Sequence, residues 1–183
     1  MVRKPAVAGQ FYPGNERDLS NKIEECFTHE LGPGKLEEGD GLRNIKGLVV
    51  PHAGYVYSGP VAAHAYKALY EDGIPNTFII LGPSHRGMGA SVALADEDFQ
   101  TPLGTVKIDE ELADELSEGV MEINNQSHMG EHSIEVQLPF LQYIADDFKF
   151  VPISVNKQDR RTVKKVGEKI RETISDKDVV VIA

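Results

Sequence analysis

The chain has no tryptophan and a single cysteine, Cys26. One thiol cannot close an intramolecular disulfide, so no disulfide framework supports the fold. Positive charge is scarce: 19 Lys and Arg stand against 29 Asp and Glu, a net charge of −10. Phosphate backbones are gripped through basic patches, so this balance speaks against nucleic acid as the main partner. The basic stretch from Arg160-Arg161 to Lys169 is interrupted by Glu168 and reads as a solvated helix face. No apolar run approaches the ~20 residues of a membrane span, and the N-terminus lacks a signal-peptide core. Repeats and low-complexity tracts are absent too. A soluble, cytoplasmic protein is expected, with no nucleic acid and no membrane among its partners. At 183 residues it is long enough for one domain with a real core.

What is present is a repeated pattern of apolar runs that break into polar, glycine-rich loops. Lys46-Gly-Leu-Val-Val-Pro51 reads as a short buried strand that delivers His52 into a loop containing Gly54, Tyr55 and Tyr57. Ser58-Gly59-Pro60 then reads as a helix start, with Ser58 or Gly59 as N-cap and Pro60 near the first helical position. That helix is expected to run to about Glu71 and to bury Val61, Ala65, Ala68 and Leu69. Asn76-Thr-Phe-Ile-Ile-Leu81 is a second strand and opens into Gly82-Pro83-Ser84-His85-Arg86-Gly87. A third loop, Asn124 to His132, precedes an expected helix over Ser133 to Ala145.

The remaining segments fit the same scheme. Asn15 caps a helix reaching about His29, with Leu19, Ile23, Cys26 and Phe27 on one apolar stripe. On that stripe Cys26 is a core residue rather than a reactive thiol. Residues 30–44 form an exposed connection. Ala90 to Ala95 reads as a strand, Phe99 to Ile108 as a hairpin turning at Pro102 to Gly104, and Asp109 as a cap for a short helix ending at Gly119. A strand over Phe148 to Val155, a helix from about Asp159 to Ile174 and a strand over Asp178 to Ala183 complete the chain. Strands alternating with helices of this length predict an α/β domain over residues 1–183, with a largely parallel or mixed central sheet flanked by helices.

In such sheets ligands bind beyond the carboxyl ends of the strands. If the strands before His52 and His85 are parallel, both imidazoles emerge at one rim, where neutral histidine is a common metal ligand. His132 lies in the third loop. Either these histidines share an ion assembled by the fold, or each hydrogen-bonds locally. Their separations exclude a zinc-finger spacing. A competing pattern is His128-Met129-Gly130-Glu131-His132, which matches the H-x-x-E-H signature of inverted zinc peptidases. That signature needs a helix, and Gly130 opposes one. Arg86 and the helix start at Ser58-Gly59 would suit an anionic substrate group. Tyr55 and Tyr57 would stack on a ring or donate a proton.

Pro51-His52-Ala53-Gly54-Tyr55 with Tyr57 and Gly59, then Ala63-His64-Ala65-Tyr66, Ile80-Leu81-Gly82-Pro83-Ser84-His85, and Glu131-His132-Ser133-Ile134-Glu135 with Leu138-Pro139 closely resemble the Memo family. Ala8-Gly9-Gln10-Phe11-Tyr12-Pro13 and Thr101-Pro102-Leu103-Gly104 extend the resemblance over essentially the whole chain. It implies a fold like that of class III extradiol dioxygenases, with a metal, iron(II) or copper, at one sheet edge. It implies His52 and His85 as metal ligands and His132 as a pocket residue. An acid/base or second-shell role for His132, oriented by Glu131 or Glu135, would follow. The activity implied is that of a metal-dependent oxidoreductase. A binding module for a small-molecule, peptide or anionic ligand, like the adaptors among eukaryotic relatives, is the alternative. Prokaryotic relatives are associated with AMMECR-like and radical-SAM proteins. Family members continue past a strand like Val179 to Ile182 into a loop with a further histidine and a later loop with a ligand cysteine. The resemblance therefore implies a C-terminally shortened chain with an incomplete ligand set, and Cys26 cannot replace that cysteine.

Overall fold

A computed structural model describes residues 1–183. Nine strands form one mixed, mostly parallel sheet: β1 (Val2–Arg3), β2 (Gly47–Leu48), β3 (Thr77–Pro83), β4 (Val92–Leu94), β5 (Asp98–Thr101), β6 (Gly104–Ile108), β7 (Glu122–Ile123), β8 (Lys149–Val155) and β9 (Val179–Ile182). The main order is β1-β5-β6-β8-β3-β9-β2, with β4 paired to β8 and β7 to β4. Five helices accompany them: α1 (Glu16–Thr28), α2 (Tyr55–Asp72), α3 (Glu110–Leu116), α4 (Leu138–Ile144) and α5 (Arg160–Thr173).

β3 is the spine. It pairs in parallel with β8 along its whole length and with β9 on its other side. Thr77 to Ile80 are all buried, as expected of a strand covered on both faces. Parallel register puts Phe78, Ile80 and Phe150 on one face and Ile79, Val151 and Ile153 on the other. α5 lies over the second face, where its Val166 and Ile170 share a groove of about 650 Å³ with Leu81, Val155, Val179 and Val181. α1, α2 and α4 pack on one another through aromatic rings. Phe140 lies 6.1 Å from Phe27, 4.8 Å from Tyr55 and 4.8 Å from Tyr66, centroid to centroid.

Local chemistry sets several boundaries. The Asn15 side chain accepts from the Asp18 N–H at 3.0 Å and starts α1. Leu19, Ile23, Cys26 and Phe27 are its buried residues, and burial pushes the Cys26 thiol up to about 11. Asp109 accepts from the Leu112 N–H to start α3, and Asp159 from the Arg161 and Thr162 N–H to start α5.

Three expectations are corrected. The strand before His52 is not buried: β2 is two residues long, sits at the sheet edge and pairs only with β9. α2 begins at Tyr55 with Gly54 as N-cap, so Ser58, Gly59 and Pro60 lie inside the helix. Its buried side is Tyr55, Gly59, Ala62, Ala63, Tyr66 and Leu69, with Val61 exposed. The segment after His132 opens as a short 3-10 turn, Glu135–Gln137, before α4.

Candidate metal centre

β2, β9 and β3 are mutually parallel, so the segments leaving β2 and β3 emerge at the same rim, with β9 between them. Each histidine loop starts where sheet pairing stops. The Val50 N–H still donates to the Ala183 carbonyl at 2.8 Å, and then Pro51, which has no N–H, ends the ladder before His52. The loop closes at Gly54, and the Tyr55 N–H donates to the Phe11 carbonyl at 2.8 Å. After β3 the Ser84 N–H donates to Val155 at 3.0 Å, and His85 follows. The third loop contains a 3-10 turn over Asn125–His128, then Gly130 at φ +72°, then Glu131 and His132.

The three loops converge. Ring centroids are 5.3 Å apart for His52 and His85, 6.1 Å for His52 and His132, and 4.4 Å for His85 and His132. Phe11 tilts against His132 at 4.7 Å. The histidines line an open cleft of about 740 Å³, together with Gln10, Phe11 and the start of α2. One donor atom each from His85, Glu131 and His132 lie within 4.8 Å of one another. Such a cluster is compact enough to face one ion at bonds of about 2 Å.

Glu131 is the electrostatic centre of the cluster. It is 3 % exposed. Oε1 accepts from the His132 N–H at 2.8 Å, the Ser133 N–H at 3.0 Å and the His85 Nδ1 at 2.9 Å, while Oε2 accepts from the His85 N–H at 2.6 Å. Burial pushes this carboxyl up, but the donors at Ser133, His85 and His132 outweigh it and hold it at about 2. Burial lowers the His52 and His132 imidazoles below their usual range; the Glu131 carboxylate opposes the shift, and the neighbouring imidazoles add to it. Both are held neutral near pH 7, the state that can bind a metal.

The other candidates separate clearly. Tyr57 is exposed in the cleft wall. Tyr55 is not a cleft residue: it is buried, and its hydroxyl donates to the Val136 carbonyl at 2.8 Å. Arg86 is exposed, and its Nε donates to the Gly130 carbonyl at 3.2 Å, outside the cleft lining. The helix start expected at Ser58-Gly59 lies a turn further along α2, and the end that opens on the cleft is Gly54–Val56. His128 is buried against Phe99 and bonded to the Ala93 carbonyl at 3.2 Å, away from His132. With Gly130 left-handed, the H-x-x-E-H segment is not a helix, and the zinc-peptidase reading fails.

Glu135 does not orient His132. It accepts from Arg3 at 2.7 Å, from the Ala6 and Val7 N–H groups and from the Tyr12 hydroxyl at 2.6 Å. Arg3 also donates to the His128 and Glu131 carbonyls at 2.8 and 2.5 Å. Sequence reading missed Arg3, Phe11 and Tyr12 as supports of the site. A lone arginine near an N-terminus carries no spacing signal; Phe11 and Tyr12 sit in a turn that gave no hint of its partner.

A family model described as Memo-like protein matches residues 3–183. A MEMO1 family protein of Methanopyrus kandleri is 52% identical, aligned over 100% of this chain and 67% of its own length. Relatives described in the same words from Methanothermobacter thermautotrophicus and Sulfurisphaera tokodaii are 47% and 49% identical, each over 100% of this chain and 68% of their own length. This chain thus spans about two thirds of the length of these relatives.

Proposed function

Because the chain belongs to the Memo-like family, we propose that it is a metal-dependent protein whose loop histidines hold a single iron(II) or copper ion, with oxidoreductase chemistry on a small molecule in the cytoplasm. The observation that carries this reading is the convergence of His52, His85 and His132, from three separate loops, on one open cleft. His52 and His85 are the proposed ligands. His132, held neutral, stacked on His85 and tilted against Phe11, is the proposed proton carrier for a bound ligand. A redox-active ion with open positions would supply binding and activation of an oxygen donor. The chain's own contribution is a rigid rim for the ligands, an aromatic wall from Phe11 and Tyr57, and a neutral base at hand. Functional association with AMMECR-like and radical-SAM proteins belongs to the same proposal.

A binding module without turnover is the second reading. Val56 and Tyr57 are 71% and 84% exposed at the cleft mouth, a surface that suits a peptide or small apolar ligand. Metal analysis separates the two. Protein purified anaerobically is expected to retain or take up one iron or copper per chain, and His52→Ala or His85→Ala to reduce that stoichiometry and weaken affinity at least tenfold. Metal-free wild type that takes up neither ion, with His52→Ala leaving ligand binding unchanged, would remove the metal reading and leave the module.

A further inference from the structure

Glu131 stands among the closest metal-competent donors, yet its surroundings give it a different task. We propose that Glu131 is not a metal ligand but the positioning residue that fixes His85 as its Nδ1–H tautomer, leaving Nε2 as the electron pair offered to an ion. The inference deepens the metal-centre reading and rests on it.

A carboxylate has about four lone-pair sites. Here the donors crowd one oxygen: Oε1 accepts from the N–H groups of His132 and Ser133 and from the His85 ring, and Oε2 accepts from the His85 N–H. An ion on Oε1 would have to displace one of these and strand a buried donor, at a cost of the kind that keeps buried polar groups paired, and an ion on Oε2 would have to share that oxygen with the His85 N–H, bonded at 2.6 Å. Nor does Glu131 face the cleft. His52, His85 and His132 line it, and Glu131 lies behind them. The short distances among His85, Glu131 and His132 donors therefore record hydrogen bonding, not coordination.

The tautomer follows from the same contacts. A carboxylate oxygen ringed by N–H groups can only accept, so the His85 Nδ1 at 2.9 Å carries the proton. Nε2 is then the free electron pair of a ring that borders the cleft. This is the arrangement in which a carboxylate behind a ligating histidine fixes ring orientation and basicity. Glu131 also joins two loops, since it binds the backbone of His85 on one side and of His132 and Ser133 on the other. One side chain thereby sets both the angle of the His85 ring and its distance from His132.

The test uses ¹⁵N-labelled, metal-free wild type at neutral pH, with zinc as a diamagnetic probe. Multiple-bond ¹H–¹⁵N spectra are expected to show His85 protonated at Nδ1. Added zinc should shift Nε2 while the Nδ1–H signal persists. Glu131→Gln, which puts donors where acceptors are needed, should raise the Nε2–H population in the metal-free state and weaken zinc binding by about 10- to 100-fold. Metal-free His85 protonated at Nε2, or loss of the Nδ1–H signal on zinc addition, overturns the proposal, and neither result depends on the variant folding. Zinc bound with the opposite tautomer would sink this inference alone. The stated tautomer with no zinc, iron or copper bound would support the positioning geometry and sink the metal-centre reading.

Discussion

Replacing His128 by glutamine should flatten the acid side of the stability curve without touching the cleft. Burial holds this imidazole down at about 4; its bond to Ala93 raises it, while the Arg3 charge lowers it further. In the unfolded chain it titrates near 6.5. Between those values the unfolded state takes up a proton that the folded state refuses. Stability contributed above pH 6.5 is therefore lost as pH falls toward 4, by about 3 kcal/mol in all. Glutamine keeps a donor for Ala93 and does not titrate. Urea midpoints at pH 7.5, 5.5 and 4.5 should fall more steeply in wild type than in His128→Gln, and parallel curves would refute the assignment. Glu131 acts in a lower window. Its depressed value contributes stability above pH 4.5 that disappears as pH falls through about 2, so the two effects are separable. At this scale sequence and structure part company in an instructive way. The grouping of His52, His85 and His132 at one cleft was legible because each sits in a polar, glycine-rich loop at the end of an apolar element. Their neighbour His128, in the same kind of loop, is a core residue. What separates them is whether a buried carbonyl faces the ring, and no local pattern encodes that.

Elements were legible where a cap and a stripe agree. Asn15, Asp109 and Asp159 each begin a helix at the residue expected, because a side-chain oxygen meets N–H groups left bare by the first turn. α2 was misread because Ser58-Gly59-Pro60 looks like a start, while the true start depends on a distant partner. Tyr55 is anchored by Phe11 through its backbone and by Val136 through its hydroxyl, and this adds a turn ahead of the proline. The exposed Val56 carries the carbonyl that Pro60 cannot bond, so water can satisfy it. A similar long-range contact governs Gly82 on β3. Its missing side chain lets Ser133 and Ile134 lie directly on the strand, and a methyl there would collide with both side chains. Gly82→Ala is expected to cost about 1–3 kcal/mol, the usual range for overpacking. Since Ser133 adjoins His132 and its hydroxyl donates to the Pro83 carbonyl, the change should also pull the His85 and His132 loops apart. Thermal unfolding would report the first effect and metal affinity the second. A variant that unfolds earlier but binds metal normally would show that the loops move together.

For the whole molecule, the question is what holds three loops from distant parts of the chain at one rim. The sheet sets the rim, since β2, β9 and β3 run the same way. It does not hold the third loop, which belongs to no long strand. That task falls to residues 1–12. Arg3 fastens the loop backbone at His128 and Glu131 and pairs with Glu135, and its guanidinium lies 4.5 Å from the centre of the Phe99 ring. Glu135 in turn gathers Ala6, Val7 and Tyr12, which carries Phe11 to the cleft wall. An ion pair removed as a unit often leaves stability little changed, whereas breaking one partner away costs about 3–5 kcal/mol. Here the unit is larger than the pair. Arg3→Met should cost about that amount by leaving a buried carboxylate short of its charge partner. Adding Glu135→Met should not restore stability, because the N–H groups of Ala6 and Val7 and the Tyr12 hydroxyl then lose their acceptor. Both variants should bind metal more weakly than wild type, although neither residue lines the cleft. Urea unfolding with a double-mutant cycle measures the first point and zinc titration the second. A double variant as stable as wild type would mean that Arg3 and Glu135 serve only each other, and that the N-terminal segment does not brace the site.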